Sequence, residues 1–285
     1  MQTLVQSRKQ AMLNYNELLI NAYRWTAAPV RSVSSWAMKS SGRLPAMILF
    51  YHRVADEHPN PWTISTSRFR EQLDWLASEF DLVTLAECQQ RIRSGFNDRP
   101  TVSITFDDGY AENSQFAIPM LLERQIPFTY FVTLKNVIEQ LPFSHDVELG
   151  QPLPVDSIET IRALADIGVE IGGHTRTHPD CGKIQCHELL RDEVIDSAKE
   201  LGEIIGRPVK YFAFPFGQPE NLNKSGFRLC RAHDFQGVCS AYGGVNMIGG
   251  DAFHLRRIHG DPSMARLKNW LSFDRKHFAA PTFEY

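Results

Sequence analysis

Two pairs of side chains in this sequence have the composition of a metal site. Asp107 and Asp108 are adjacent in the segment SITFDDGY, and His174 and His178 lie four residues apart in GGHTRTHP. Adjacent carboxylates repel each other unless a positive charge holds them, and two imidazoles with one carboxylate are a usual ligand set for catalytic zinc. Such a site leaves a fourth position for water, whose pKa the metal lowers to about 7.

The second carboxylate then has a separate task. One aspartate would bind the cation, and the other would accept a proton from the water as the general base. A structural alternative is that Asp107 and Asp108 cap a helix that begins near Gly109 and Tyr110. We interpret the pair as catalytic because the two histidines accompany it.

Polar side chains stand at the ends of several predicted strands. After residue 44, apolar runs rich in β-formers alternate with segments of helical period, which predicts a parallel sheet covered by helices. His52, Asp107 and His174 each follow such a run, and Arg257 and His259 close the last one. The predicted strands are residues 47–51, 82–83, 102–106, 128–133, 169–172, 209–214, 237–240 and 254–258.

Helical patterns separate these strands. Residues 69–80 carry apolar side chains at three-to-four spacing, and a longer helix over 189–205 ends at Gly206. Thr84 and Asp156 each precede a glutamate by three residues, which predicts two helix N-caps. Seven or eight βα units predict a distorted TIM-like (β/α)7-8 barrel, with an open doubly wound sheet as the alternative.

Composition and charge exclude several classes of function. The formal charge of −3 provides no basic field and no zinc-finger spacing occurs, so we expect no nucleic-acid partner. The odd count of five cysteines suits a reducing compartment. No apolar run approaches the roughly 18 residues of a membrane span, and the first residues lack the layout of a secretory signal. We therefore predict a cytoplasmic location.

Residues 1–44 differ in charge from the rest. The segment contains six basic residues and one acidic residue, Glu17. Its formal charge is therefore +5, and residues 45–285 carry −8. We predict a basic N-terminal segment over 1–44, helical or partly disordered, and a barrel domain over 45–285. The segment is interpreted as a helix packed on the domain or a frayed tail, or alternatively as a targeting element or an amphipathic helix on a partner or an anionic membrane surface.

Five segments resemble the polysaccharide deacetylases of the carbohydrate esterase class, which share the chitooligosaccharide deacetylase (NodB) homology domain. They are TFDDGY, IPFTYFV, HTRTHP, YFAFPFG and LRRI, so the resemblance covers roughly residues 45–270. It implies a distorted barrel of about seven βα units and a divalent metal, most commonly Zn²⁺. By this resemblance Asp107 is the base, Asp108, His174 and His178 bind the metal, and the backbone N–H of Tyr110 stabilises the oxyanion.

One position departs from the family pattern. The third motif of the family usually carries an arginine that steadies the base, whereas Ala213 stands there in KYFAFPFG. Either the base is held differently, or catalysis is impaired. Arg257 is a candidate for the missing positive charge because it lies at the end of the last predicted strand; the alternative is an ordinary surface ion pair.

Two histidines are candidates for the general acid. The family places this histidine on a late strand in a Leu-x-x-His pattern, which points to His259. The segment ILFYHRV instead places His52 after a strand at the other end of the chain, as in the branch with an N-terminal Tyr-His-Arg-Val motif. We favour His52, since imidazole titrates near neutrality and can protonate a leaving amine. The alternative is a histidine of the core.

The residues after the strand at 209–214 are candidates for binding substrate. Phe214, Pro215, Phe216 and Gly217 are predicted to line a groove, with core packing as the alternative for at least one phenylalanine. Tyr51 and Trp62 are expected to add surface.

The sequence therefore predicts a metal-dependent hydrolase that removes N-acetyl groups from an amino-sugar unit of a poly- or oligosaccharide. Two alternatives remain open. One is a catalytically impaired carbohydrate-binding protein on the same scaffold. The other is a barrel hydrolase of small cyclic amides or ureides, for which a closed pocket is expected.

Overall fold

Parallel strands form a nearly closed barrel in the structure, a computed structural model that describes residues 2–260, 263–272, 278 and 283–285, with side chains from residue 17 onward. The strands are β1 (Ala46–Tyr51), β2 (Arg53–Val54), β3 (Thr63–Ile64), β4 (Asp81–Leu82), β5 (Thr101–Phe106), β6 (Phe128–Val132), β7 (Glu170–Gly173), β8 (Tyr211–Ala213), β9 (Gly237–Ser240), β10 (His254–Arg256) and β11 (Ile258–His259).

The last stretch of strand closes the barrel. Neighbouring strands follow the order β10-β9-β8-β7-β6-β5-β1-β11, and β4 also pairs with β5. Only Arg257 separates β10, which pairs with β9, from β11, which pairs with β1, so one segment joins the two sides. The predicted TIM-like barrel is confirmed, and the open doubly wound sheet is wrong.

All eight predicted strands are present, with ends shifted by at most two residues. Every residue of β1 and β5 is buried, because helices cover the outside of a parallel barrel and side chains fill its inside. β1 is a continuous apolar run, whereas β5 alternates apolar residues with threonine and serine and was identified by its β-forming residues. The pair β2–β3 was not predicted, since each of its strands has two residues and no periodicity.

Helices occupy most of the connections. They are α1 (Gln2–Ser40), α2 (Thr66–Glu79), α3 (Leu85–Ser94), α4 (Ile118–Glu123), α5 (Leu134–Glu139), α6 (Ser144–Glu148), α7 (Ile158–Asp166), α8 (His187–Arg191), α9 (Ser197–Ile205), α10 (Lys224–Ala232) and α11 (Met264–Trp270). A π-helical turn over Asn113–Ala117 precedes α4, and another over Asp192–Asp196 joins α8 to α9. The predicted helix over 189–205 is this joined element, and it ends at Gly206 with φ of 72° as expected.

One of the two predicted caps is wrong by one residue. Thr84 caps α3 and accepts a hydrogen bond from the Glu87 N–H at 3.1 Å. At α7 the cap is Ser157, not Asp156, because the first helical residue is Ile158. The Asp156 carboxylate instead accepts hydrogen bonds from the hydroxyls of Tyr130 and Ser114, each at 2.7 Å. Burial there raises the pKa of Asp156 to about 6.

The long helix α1 lies along α11 on the outside of the barrel. Arg31 Nη2 donates a hydrogen bond to Asn269 Oδ1 at 2.9 Å, and the Ser263 hydroxyl donates to Glu17 at 2.5 Å. Of the helices that the structure describes, none combines the length and the apolar character that crossing a bilayer requires.

Two adjacent glycines of β7 offer a test of how tightly the barrel is packed. A Cβ on Gly172 would overlap the ring of Phe131 on β6, whereas one on Gly173 would make ordinary contacts with Ala198 and Phe212 at 3.6 Å. We expect Gly172→Ala to lower the free energy of unfolding by about 1–3 kcal/mol through overpacking, measured by urea denaturation. Gly173→Ala is the matched control. Equal urea midpoints for the two variants would contradict this account.

Candidate active site

Three predicted ligands meet at the carboxyl ends of β5 and β7. Asp108 Oδ1 lies 3.4 Å from His174 Nε2 and 3.2 Å from His178 Nε2. One ligand atom from each of the three residues lies within 4.8 Å of the other two. The acids follow β5 and His174 follows β7, so the fold joins segments that are far apart in the sequence.

The backbone of these loops is held in an unusual conformation. Asp108, Thr175 and His178 have φ values of 76°, 67° and 61°, in the left-handed region that non-glycine residues seldom occupy. The Thr175 hydroxyl accepts a hydrogen bond from the His178 N–H at 2.9 Å, and the Thr133 N–H donates to the Asp108 carbonyl at 3.3 Å. Such conformations persist where surrounding contacts determine them, and they concentrate at functional sites.

The three side chains fit a divalent cation. Asp108 Oδ1 is buried and accepts no hydrogen bond from any described residue. His174 Nδ1 lies 2.8 Å from the carbonyl oxygen of Ala213, a contact that requires a proton on Nδ1 and leaves a lone pair on Nε2, toward Asp108. Burial raises the pKa of Asp108, but without a metal the two imidazoles in their protonated forms outweigh it and hold this pKa well below its usual value; a bound cation would take the place of their Nε2 protons. One oxygen and two nitrogens are a donor set that suits zinc.

Asp107 has different surroundings from its neighbour. Its two carboxylate oxygens accept hydrogen bonds from Arg257 Nη1 at 2.6 Å and Nη2 at 2.8 Å. Burial raises the pKa of Asp107, but the guanidinium outweighs it and keeps this pKa below its usual value. The two acids therefore differ in their partners. Arg257 binds Asp107, and the two histidines face Asp108.

Arg257 is fully buried between β10 and β11, so an ordinary surface ion pair is wrong for it. Its Nε donates to the Ser240 carbonyl at 3.0 Å and its Nη1 also donates to the Thr105 hydroxyl at 3.1 Å. Each of the three nitrogens of its guanidinium therefore donates at least one hydrogen bond. At Ala213, the position where the family usually has arginine, the backbone carbonyl binds His174 instead.

The two candidate acids lie side by side, with ring centroids 6.2 Å apart. His52 lines a cavity together with Asp107, Asp108 and both predicted histidine ligands. His259 does not line this cavity; its ring lies 5.1 Å from Phe50 and 6.1 Å from Trp62. Burial lowers the pKa of His52, and the two aspartates oppose this effect without cancelling it.

Aromatic side chains form part of the wall of this cavity, which has a volume of about 570 Å³. Phe216 is 53% exposed and its ring lies 5.2 Å from that of His178, while Trp62 is 44% exposed and its ring lies 5.0 Å from that of His52. Both therefore present a ring to any ligand in the cavity.

The other predicted lining residues are mostly core residues. Phe214 touches the cavity but is 1% exposed and stacks on Phe227 at 5.2 Å. Pro215 and Gly217 are buried and do not line the cavity, because they form the turn that carries Phe216 outward. Tyr51 is also buried, where its hydroxyl donates to Gln72 at 2.7 Å, so it adds no surface.

Sequence patterns did not identify five polar residues of the wall. One lies on the short helix α6 and the others on loops or short turns, where no motif or periodicity marks them: His145, Asp180, Lys183, Gln218 and Asn221. His145 is tied to the site through Tyr110, whose hydroxyl lies 3.0 Å from His145 Nε2 and donates to Asp146 at 2.7 Å. The bridge between Tyr110 and Val155 uses the N–H groups of Ala111 and Asp156, so the Tyr110 N–H takes no part in it.

The ion pair between Arg257 and Asp107 is testable through the pH dependence of stability. We expect Arg257→Gln to lower the free energy of unfolding by about 3–5 kcal/mol at pH 7, because it leaves a buried carboxylate without a partner. The pKa of Asp107 is lowered by the pair, so the pair stabilises the fold above the ordinary carboxyl pKa and less as the pH falls through the lowered value. The deficit of the variant should therefore shrink in acid, as measured by urea denaturation across the pH range.

The control for this prediction removes both charges. Asp107→Asn combined with Arg257→Gln should be more stable at pH 7 than Arg257→Gln alone, because no buried charge then remains unpaired. A deficit of Arg257→Gln that is the same at every pH, or unchanged by Asp107→Asn, would contradict the assignment.

The sequence of the chain is similar to those of known proteins. A family model described as polysaccharide deacetylase matches residues 94–236. The Bacillus subtilis (strain 168) protein YxkH, a polysaccharide deacetylase by name, is 24% identical over 237 residues, which are 81% of this chain and 77% of YxkH.

Solved structures share the fold. The Streptococcus pyogenes deacetylase PplD, in complex with acetate, aligns over 81% of this chain and 99% of its own, with a TM-score of 0.67 and 17% identity. IcaB from Ammonifex degensii aligns over 80% and 97%, with a TM-score of 0.65 and 24% identity. A de-N-acetylase from Aggregatibacter actinomycetemcomitans aligns over 80% and 100%, with a TM-score of 0.65 and 20% identity.

The family model covers half of the chain, and the segment it covers carries both aspartates and both histidines of the site. This chain therefore belongs to the polysaccharide deacetylase family, and it is an amide-hydrolysing deacetylase.

Proposed function

We propose that the enzyme is a divalent-metal-dependent hydrolase that removes N-acetyl groups from an amino-sugar unit of a poly- or oligosaccharide. One observation carries the proposal: two adjacent buried aspartates have separate partners, Arg257 for Asp107 and the histidine pair for Asp108. A metal-dependent amide hydrolysis needs this division between a base and a cation ligand. The acetate bound to the Streptococcus pyogenes deacetylase is consistent with acetyl as the released group.

Asp108, His174 and His178 would hold the cation. When bound there, a divalent cation such as Zn²⁺ would polarise the amide carbonyl and lower the pKa of a water molecule. The hydrogen bond between His174 and the Ala213 carbonyl would fix the orientation of that ring before any cation arrives.

Asp107 would accept the proton of the attacking water. Its lowered pKa keeps it ionised at neutral pH, and the two parallel hydrogen bonds from Arg257 fix the plane of its carboxylate. Arg257 is thus a positioning residue for the base, and it would do the work of the arginine that Ala213 replaces. This arrangement disfavours a carbohydrate-binding protein that has lost catalysis, because a binder needs no buried ion pair around a base.

His52 would give a proton to the leaving amine, and the Tyr110 N–H would donate a hydrogen bond to the oxyanion. His52 lines the cavity beside both aspartates, and their negative charge favours its protonated form against the effect of burial. On this proposal His259 is not the acid, since it lies outside the cavity lining.

The substrate would be held by stacking on aromatic rings. Trp62 and Phe216 expose ring faces beside His52 and His178, and the apolar face of a sugar ring packs well on such surfaces. The cysteines support a cytoplasmic location for the reaction, because all five are free and only Cys186 is exposed.

Metal binding is measurable without substrate. We expect Asp108→Asn and His178→Gln each to weaken Zn²⁺ binding by at least about 100-fold in calorimetric titration of the metal-free protein, since each removes one of three ligands. His145→Gln is the control, because His145 lines the same cavity but lies outside the group of three. Equal losses in all three variants would indicate a general effect on folding and would refute the assigned ligands.

Catalysis is tested by acetate release from chitooligosaccharides. We expect the wild-type enzyme to release acetate and Asp107→Asn to lower kcat by about 10²–10⁴-fold, as for other general bases, while Zn²⁺ binding persists. If Asp107→Asn keeps the full activity of the wild type, Asp107 is not the general base.

The same assay separates the two candidate acids. His52→Gln should lower kcat within about the same 10²–10⁴-fold range, and His259→Gln should change it much less. If His259→Gln lowers kcat more than His52→Gln does, His259 is the general acid.

A further inference from the structure

One side of α1 faces solvent with apolar side chains. From Leu18 to Ala37 this outer face bears large residues that are each more than half exposed, with Trp25 at 82% and Trp36 at 71%; the others are Leu18, Leu19, Val30 and Val33. The partly buried positions cluster on the opposite side of the helix, at residues 17, 20, 21, 24, 27, 31, 34, 35 and 38. The outer face is therefore continuous along five helical turns or so.

The charges of this helix lie away from the outer face. Between residues 18 and 37 the only charged residues are Arg24 and Arg31, and both belong to the partly buried side. Arg31 donates to Asn269 at 2.9 Å, and Arg24 donates to Asn21 at 3.3 Å. An ordinary surface helix has the opposite arrangement, with apolar residues inward, so the outer face is suited to contact with another surface.

We propose that the outer face of α1 binds the surface of an anionic membrane. Helices that lie in a membrane interface carry tryptophan and leucine on one side and arginine or lysine on the other, as α1 does. Tryptophan in particular prefers the level of the lipid headgroups. The helix would therefore lie in the plane of the bilayer surface without crossing it.

The distribution of charge favours this partner. Residues 1–44 carry +5 and the remaining residues carry −8, so an anionic surface attracts the segment and repels the rest of the protein. Glu17, the only acid of the segment, accepts the hydrogen bond from Ser263, and Lys39 and Arg43 are exposed near the end of the helix. A second copy of the chain fits less well, because pairing two outer faces would bring two positive segments together.

Membrane binding at this face would leave the active site accessible. None of the residues that line the cavity belongs to α1, and the contacts of α1 with Ser263 and Asn269 are on the outside of the barrel. The inference is therefore independent of the proposed function, and either can fail without the other.

The test is co-sedimentation of the full chain with vesicles. We expect the protein to sediment with vesicles of phosphatidylcholine containing about one-third phosphatidylglycerol, less with phosphatidylcholine alone, and less as salt is raised above about 0.1 M. Trp25→Glu combined with Trp36→Glu should weaken binding by at least about tenfold, because it places two charges on the apolar face. Both side chains are exposed, so we expect the variant to fold and to keep the activity of the wild type on soluble substrate.

The matched control places the same two charges elsewhere. Leu122→Glu combined with Ile167→Glu changes two exposed apolar residues on the outside of the barrel, away from α1, and should leave vesicle binding unchanged. The inference is overturned if the wild type does not bind anionic vesicles, or if both double variants bind equally. It is also overturned if sedimentation velocity shows a dimer that the tryptophan substitutions dissociate while vesicle binding is absent.

Discussion

The buried ion pair between Arg257 and Asp107 joins residues 150 positions apart, and the proposed division of tasks between the two aspartates depends on it. Without a cation beside it, a carboxylate at this depth would take up a proton, because burial favours the neutral form. The guanidinium keeps Asp107 ionised and orients both of its oxygens. Asp108, one residue on, turns through a left-handed backbone toward His174 and His178. Two identical side chains thus acquire different partners from their surroundings.

Closure of the barrel places Arg257 beside Asp107. Arg257 stands between β10 and β11, where the last strand completes the ring between β9 and β1. An open sheet would leave the last strand on an edge, far from the end of β5 where Asp107 lies. His52, at the end of β1, reaches the same rim because β1 pairs directly with β5. The segment that closes the barrel therefore also supplies the partner of Asp107.

Ala213 stands where the family usually carries an arginine, and the proposed function gives the task of that arginine to Arg257. The backbone of this position still serves the site, since its carbonyl orients His174 through a hydrogen bond at 2.8 Å. The charge that the family usually supplies there comes from the neighbouring side of the barrel, from Arg257. An arginine side chain can pair with this carboxylate from any strand that ends close to it. The strands of a barrel end at one rim, so several of them offer such a position.

The sequence by itself determined eight strands of the barrel, their parallel direction and the polar residues at their ends. An apolar run marks β1, residues with high β-propensity mark β5, and the motifs around Asp107 and His174 mark the rim. The tertiary structure alone decided which group binds Asp107, which histidine lines the cavity and which further residues form its wall. These contacts join residues far apart in the chain, where no local periodicity records them. The same holds for the outer face of α1: the sequence shows a basic segment with scattered apolar residues, and only packing against α11 determines which side remains exposed.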